Sequence, residues 1–540
     1  MKNLKLTKGL VALSTAALIA AFTVAVPTVA RAADDCQETT ILSGIKVVDI
    51  EKCTGTDMNK SKYEIIMPSK FNGTLMVYSH GIRYNVNLPA IPVVAPKGSL
   101  INYAADVAPS EEVAAALLAQ GFALAGAGVQ NQGWNLEESV EAAFQVLTIA
   151  RDKYSKINKV VTWGNSLGGI TSQALAEQYS GAVDAALPMC MADSAQAEIT
   201  MAGDFLWGMK TLFNPAIKGT GYSAGQAGYV EMVTDIGTVL TTFQELSTLV
   251  AASLRNPTAP AVWPTTTPAS VPAALKQLPL RSAVLALGLM AGVPTQSPTY
   301  DASSGPAGAS ETTFGLAVSP ALAVLENGSE AAILAVIANY DMEVRYGGVV
   351  YDNSKTNFIA RVSEELDQFA AALTGRNSAI SLLGFLGLNP RVTANPQAVA
   401  KMNSVYQLQG KIDVPTITLS ATGDHITPAG AAQYLKNQYE ASVANGVSKS
   451  GRLLTIWNKP DDVYTEFDSN GAPVTPVVKP NGTGHCNYTT SQILAVAKLA
   501  ASAAKTGRLP SSSAVNAAIK NEPNLFVDPN FAPPLLKFRQ

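Results

Sequence analysis

Three residues of this chain carry chemistry that the remainder must bring together: Ser166, Asp424 and His485. Ser166 stands in Gly164-Asn165-Ser166-Leu167-Gly168, a G-x-S-x-G spacing. That spacing suits a sharp strand-to-helix turn with the hydroxyl facing outward. A serine hydroxyl is a weak nucleophile until a base takes its proton. An imidazole titrating near neutral pH can take that proton and return it to a leaving group. A carboxylate fixes the imidazole tautomer and stabilises its charged form. Such a set can attack an acyl carbon, and the resulting oxyanion needs N–H donors. The Leu167 N–H, at the start of a helix, is placed to be one of them.

Each assignment has a rival. The glycines around Ser166 also fit an ordinary turn. Asp424 also fits a simple turn former, and Asp193 and Glu198 are the other candidate acids. Of the two other histidines, His80 ends a strand and suits a shaping role in the following loop. His425 neighbours Asp424 and suits the site lining or a helix cap.

The positioning elements follow from patterning. Residues 159–163 read as a buried strand that leads into the Ser166 turn and a helix. Further buried strands are expected at 73–79, 122–126, 183–191, 415–421 and 451–457, with helices at 110–120, 136–154, 429–441 and 489–504. Residues 40–50 and 62–67 read as two opening antiparallel strands. Strands that alternate with helices indicate a doubly wound, mostly parallel sheet, in which ligands bind beyond the carboxyl ends of the strands. The alternation stops between 192 and 410. There, helical candidates at 202–212, 228–254, 321–340, 357–374 and 378–386 are separated by stretches rich in Pro, Thr, Ser and Gly. This reads as a mainly helical domain inserted into an α/β core formed by 33–191 and 411–540. The tail from 509 is expected to wrap the surface. Phe205, Trp207 and Phe213 could line a substrate pocket, although at helical spacing they also fit an ordinary core.

Charged residues make up only 15% and the net charge is −3, which argues against a nucleic-acid partner. Residues 1–32 read as a secretion signal: Lys2, Lys5 and Lys8, an apolar run at 9–26, then Ala30-Arg31-Ala32 as a small-x-small cleavage site. An uncleaved anchor is the alternative. No later apolar run is expected to span a bilayer, 282–293 being too short. A secreted or periplasmic protein follows. Four cysteines remain: Cys36, Cys53, Cys190 and Cys486. No C-x-x-C or H-E-x-x-H spacing is present, so no metal or other cofactor is expected.

The order Ser166, Asp424, His485, with the Ser166 elbow, the Gly423-Asp424…Pro428 turn and Gly484-His485, resembles the α/β-hydrolase superfamily over roughly 60–191 and 411–505. The resemblance implies a Ser-His-Asp triad and places the second oxyanion donor after His80-Gly81, at Ile82. His485-Cys486 is similar to the pair in tannases and feruloyl esterases, although here Asn165, not Cys, precedes Ser166. In this fold the strand ending at Cys190 lies between the strands that carry Ser166 and Asp424. The expected disulfides are Cys36–Cys53, close in sequence, and Cys190–Cys486, with a buried thiol at Cys190 as the other outcome. The implied function is a secreted serine hydrolase cleaving carboxylic esters through an acyl-serine intermediate. A secreted prolyl-type aminopeptidase is the alternative; it would need an acidic residue such as Glu198, Glu231, Glu245 or Glu343 to hold the substrate amine. A non-catalytic binding protein on the same scaffold is the third reading.

Overall fold

Ten strands form one sheet in the order β1-β2-β3-β5-β4-β6-β7-β8-β9-β10 in this computed structural model. It describes residues 35–91, 95–253, 260–300, 318–362, 375–460, 468, 474 and 481–540. The expected secretion signal at 1–32 lies outside the described residues, as do 363–374 of the expected helix at 357–374; Ala360–Val362 forms a short 3-10 turn.

The chain opens with β1 (Asp35–Ser43), β2 (Lys46–Thr56) and β3 (Lys62–Pro68), each antiparallel to the next. The segment 40–50, expected as one strand, is therefore a hairpin. Gly44 takes a positive φ of 58° at its tip, a conformation glycine adopts without a Cβ penalty. The hairpin sets Cys36 directly opposite Cys53, and a disulfide joins them.

After β4 (Thr74–Ser79) come α1 (Glu111–Leu118), β5 (Ala123–Gly128), α2 (Leu136–Lys153), β6 (Lys159–Asn165), α3 (Leu167–Gln178) and β7 (Ala185–Met189). The Ser110 hydroxyl caps α1 by accepting from the Val113 N–H, with Glu111 and Glu112 in the first turn. Strand residues alternate between two cores. Leu75 and Val77 pack with residues of α2 and α3, whereas Met76 and Tyr78 pack on the opposite face.

Between β7 and the next strand lie only helices among the described residues: α4 (Ala195–Leu212), α5 (Gly225–Ala252), α6 (Ala273–Lys276), α7 (Leu280–Ala291), α8 (Val318–Tyr346), α9 (Arg376–Leu388) and α10 (Pro396–Asn403). The helices from α4 to α9 share an apolar core that includes Phe205, Leu246, Leu285, Val336 and Leu386, whereas Ala398 and Met402 of α10 pack with residues of α2 and α3. Contrary to the sequence expectation, α8 is long and apolar enough to cross a membrane by length and composition, but most of its most apolar stretch is buried inside the protein. Two of the three aromatics considered as pocket lining are ordinary core. Trp207 stacks on Phe358 and Phe213 packs on Trp263, while Phe205 reaches the cavity described below.

The sheet resumes with β8 (Thr416–Ala421), α11 (Gly430–Ala444) and β9 (Leu453–Asn458), followed by α12 (Thr490–Thr506). The six strands from β5 to β9 in the sheet order are parallel. The tail is more ordered than its composition suggests. It forms α13 (Ser512–Ile519) and a two-residue edge strand, β10 (Leu525–Phe526), and then packs Leu536 against Ala197 and Met201 of α4.

Candidate active site

Ser166 follows β6 with φ 59° and ψ −123°, a conformation uncommon for a residue with a side chain. Its own N–H donates to the Met189 carbonyl of β7. Neighbouring positions must be glycine for steric reasons. A Cβ on Gly164 would overlap the Gly168 and Ser79 carbonyls, and one on Gly168 would overlap Ser79 and His80. Across the serine, a Cβ on Gly81 would stand 3.4 Å from the Ser166 Cβ and 3.9 Å from its Oγ, so the backbone after His80 passes close beside the serine. The N–H groups of Ile82 and Leu167 make no hydrogen bond within the described residues. Both residues border the same cavity as Ser166.

Asp424, in the turn after β8, is fully buried. One oxygen accepts from the Ile426 and Thr427 N–H groups, each at 2.9 Å; the other accepts from the Thr427 hydroxyl at 3.1 Å. His485 Nδ1 lies 3.2 and 3.1 Å from the two carboxylate oxygens. Burial alone would raise the Asp424 pKa, but the His485 charge and hydrogen bond, the His425 charge and the Thr427 N–H outweigh it. The net shift is downward, and the carboxylate stays ionised. Burial alone would lower the His485 pKa, yet Asp424 and the more distant Glu330 charge move it above its ordinary value. No hydrogen bond joins His485 to Ser166 in this state, although both face one cavity. Catalytic contacts of unliganded enzymes are often loose and tighten when substrate arrives.

Asp193, the rival acid, is engaged elsewhere: Arg539 from the C-terminal tail forms an ion pair with its buried carboxylate. His80 Nδ1 donates to the Gly81 carbonyl at 2.7 Å, and burial, with Arg83 nearby, lowers its pKa to about 4. It is neutral at physiological pH and holds the loop that carries Ile82. His425 lies on the cavity wall and pairs through Nε2 with Glu330 of α8 at 2.9 Å, a contact that the sequence gives no sign of.

A disulfide joins Cys190, just past β7, to Cys486. The Cys486 sulfur lies 3.5 Å from His485 Nε2, and the Cys486 N–H donates to Asp424. The bond thus ties the His485 loop to the sheet beside Ser166. Asp424, His485 and Cys486 group closely enough to hold a metal, but the sulfur is consumed in the disulfide and the other two groups bond each other. The disulfide spans 296 residues of sequence, and for a loop of that length chain-entropy models give about 6 kcal/mol of stabilisation. Replacing Cys190 and Cys486 together by Ser is expected to lower both Tm and kcat. Non-reducing peptide mapping is expected to recover Cys36–Cys53 and Cys190–Cys486 as linked peptides; an alkylated Cys190 thiol would contradict the pairing.

The cavity above Ser166 measures about 130 Å³. Its floor is Ser166, Leu167 and Ile82. Its roof comes from the inserted helices: Ile199 and Phe205 of α4, Ala291 of α7, and Ala331, Leu334 and Met342 of α8. Glu198 of α4 also lines it, as does Tyr84. The position of Glu198 within the insertion gives no sign in the sequence of its place on this wall. It does not approach His485 as Asp424 does: its Oε1 accepts the Asp193 N–H at 2.9 Å. Of the other acidic candidates, Glu231 pairs with Lys218, Glu245 accepts the Thr265 N–H, and Glu343 accepts the Gly221 and Tyr222 N–H groups, all away from this cavity.

No curated protein matches the chain in sequence. Among solved structures, an esterase from Aspergillus oryzae is similar at 12% identity, with 80% of this chain and 79% of that chain covered and a TM-score of 0.35. Feruloyl esterase B from Aspergillus oryzae is similar at 11% identity, covering 78% and 79%, with a TM-score of 0.34. The rice cell wall degrading esterase LipA from Xanthomonas oryzae is similar at 10% identity, covering 80% and 92%, with a TM-score of 0.32. The order of parallel strands, the turn after β6 and the helices inserted after β7 make this an α/β-hydrolase fold, and residues 20–273 match the tannase-like family of unknown function (DUF6351).

Proposed function

We propose that the protein is a secreted serine hydrolase that cleaves carboxylic esters through an acyl-serine intermediate. The observation that carries this reading is the strained Ser166 on the floor of an apolar cavity, which His485, held by Asp424, also faces. The tannase-like match over 20–273 supports ester hydrolysis. The two disulfides suit an oxidising compartment such as the cell exterior.

In this mechanism His485 Nε2 takes the Ser166 proton as Oγ attacks the ester carbonyl. The oxyanion is held by the Leu167 and Ile82 N–H groups. The tetrahedral species collapses, His485 passes its proton to the departing alkoxide, and an alcohol leaves. Water, deprotonated by His485, then attacks the acyl-serine; the carboxylic acid departs and Ser166 recovers its proton. Asp424 stays ionised throughout and stabilises the imidazolium.

A prolyl-type aminopeptidase would need an ionised carboxylate to meet the substrate ammonium. Glu198 is the acidic side chain on the described cavity wall, and burial pushes its pKa up to about 8, which leaves it mostly uncharged at neutral pH. That favours the ester reading.

The cavity is close in volume to the roughly 150 Å³ apolar cavity that accepts benzene. The acyl group it fits is therefore about one ring, or a chain of about four carbons. With p-nitrophenyl esters, kcat/KM is expected to be high from acetate to butyrate and for benzoate, and roughly 10- to 100-fold lower for decanoate, from the cost of overpacking. Amino-acid p-nitroanilides are expected to be poor substrates. Turnover of the anilides without the esters would move the assignment to a peptidase, and failure on every substrate would favour a binding protein.

A further inference from the structure

Glu198 is the anomaly of the cavity. The other wall residues from the inserted helices are Ala, Ile, Leu, Met and Phe, and none of them can bond to a polar substrate group. Glu198 sits in the first turn of α4, which Ser194 caps by accepting the Ala197 N–H, so its backbone position is held firmly. Its Oε1 is occupied by the Asp193 N–H, whereas Oε2 has no hydrogen-bond partner among the described residues. Tyr84, from the loop after β4, borders the same space, and its hydroxyl makes no hydrogen bond there either. Besides the polar floor and wall formed by Ser166, Thr427, His425 and His485, these two groups thus reach the chamber of about 130 Å³ with hydrogen-bonding capacity unused, as does His425 Nδ1. Leaving such groups unpaired against an apolar ligand costs binding energy, and pairing them recovers it.

Resting on the ester-hydrolase reading, we propose that Glu198 is a specificity-determining residue that hydrogen-bonds a hydroxyl on the acyl group seated over Ser166, with Tyr84 as its companion, so that hydroxylated acyl esters are preferred over plain hydrocarbon ones. The acyl group is the part of the substrate that stays bonded to Ser166, and Glu198 and Ser166 line one cavity; α4 begins just past β7, where the Ala192 N–H bonds to the Ser166 carbonyl. A protonated carboxyl donates through Oε2 to the substrate oxygen, and the substrate hydroxyl can donate in turn to the Tyr84 oxygen.

The protonation state is set by the surroundings. Burial raises the Glu198 pKa to about 8; the Asp193 N–H opposes this, the Asp193 and Asp424 charges add to it, and Arg539 opposes it. His425, His485 and Tyr84 are the other titratable groups on the cavity wall, and Glu330 of α8 stands behind His425, paired to its Nε2. As pH rises through about 8, Glu198 ionises and turns from donor to acceptor; the substrate hydroxyl then donates to Oε2 in a charge-assisted bond, so the preference for the hydroxylated ester should persist or rise.

The test is the ratio of kcat/KM within matched p-nitrophenyl pairs, 3-hydroxybutyrate over butyrate and 4-hydroxybenzoate over benzoate. It is measured on the full chain at pH 7 and pH 9 for wild type, Glu198→Gln and Glu198→Leu. In at least one pair the wild-type ratio is expected to exceed roughly tenfold, about one hydrogen bond, at both pH values. Glu198→Gln, which keeps a donor that does not titrate, is expected to retain most of the ratio at both pH values. Glu198→Leu is expected to reduce it to near one. Thermal melting and fluorophosphonate labelling of each variant confirm a folded active site, and if Glu198→Leu does not fold, the same ratio measured on Glu198→Ala decides. Ratios near one in wild type, ratios that Glu198→Leu leaves unchanged, equal losses for both members of a pair, or a stronger preference for an amino-substituted acyl group at pH 9 would each overturn the inference. Absence of any butyrate or benzoate hydrolysis by wild type would instead overturn the ester reading beneath it.

Discussion

Replacing Ser166 by Ala is expected to lower kcat by at least about 10⁴-fold while Tm stays nearly unchanged. The rate loss follows from the role of Oγ. Without it no acyl-enzyme forms, and only substrate positioning and the Ile82 and Leu167 N–H groups remain. The fold should tolerate the change because the elbow is held by backbone. The Ser166 N–H bonds to Met189, and its carbonyl accepts from Gly169, Ile170 and Ala192. Alanine keeps the Cβ and so carries the same cost of a positive φ. A fluorophosphonate probe is expected to label Ser166 in wild type and nothing in the variant. Labelling of another serine would move the nucleophile.

Replacing Asp424 by Asn is expected to cost roughly 10³- to 10⁴-fold in kcat, and replacing Asp193 by Asn far less. Asp424 is bonded to His485 Nδ1; an amide there cannot stabilise the imidazolium and favours the wrong tautomer. Asp193 instead faces Arg539, so its loss should appear in Tm as an unpaired arginine rather than in the chemistry. The pH profile gives an independent readout. His485 must be neutral to act as base, and its pKa lies above the ordinary 6.5, so wild-type kcat/KM should rise with pH with a midpoint above that value. Removing the Asp424 charge removes the main upward influence on His485, so residual activity in Asp424→Asn should show its midpoint at lower pH. If Asp193→Asn were the more damaging change, the acid would have to be assigned to the end of β7.

Much of the core was readable because its signals are local. The Gly164–Gly168 spacing reports steric crowding where a strand meets a helix, and that crowding is visible in the carbonyls that a Cβ would strike. Ser110 ahead of two glutamates marks a helix start through its own cap. The alternation of buried strands and helices from 73 to 191 suffices for a parallel sheet, because crossovers between parallel strands need helices. Where sequence and structure differ, the deciding feature is either a single ambiguous residue or a contact between segments distant in sequence. Residues 40–50 are β-prone throughout, and only Gly44 marks the turn that makes them two strands. Leu525 and Phe526 join the sheet because Leu525 lies opposite Asn458 and Phe526 opposite Trp457 on β9, an edge that the tail sequence does not reveal.

Taken alone, the amino-acid sequence determined the parallel core, the serine turn and the chain order of the three candidate groups. These depend on backbone sterics and on hydrophobic periodicity within short windows. Only the tertiary structure decided which side chains meet. Asp424 rather than Asp193 faces His485, because Arg539 from the far end of the chain occupies Asp193. Phe205 rather than Trp207 reaches the cavity, because Trp207 packs against Phe358 and bonds to the Pro390 carbonyl. Glu198 lines the same chamber as Ser166 because α4 is capped at Ser194 and packs beneath α8. Helical periodicity says that a residue lies on a buried face. What stands across from it depends on how helices distant in sequence pack, and no local pattern encodes that.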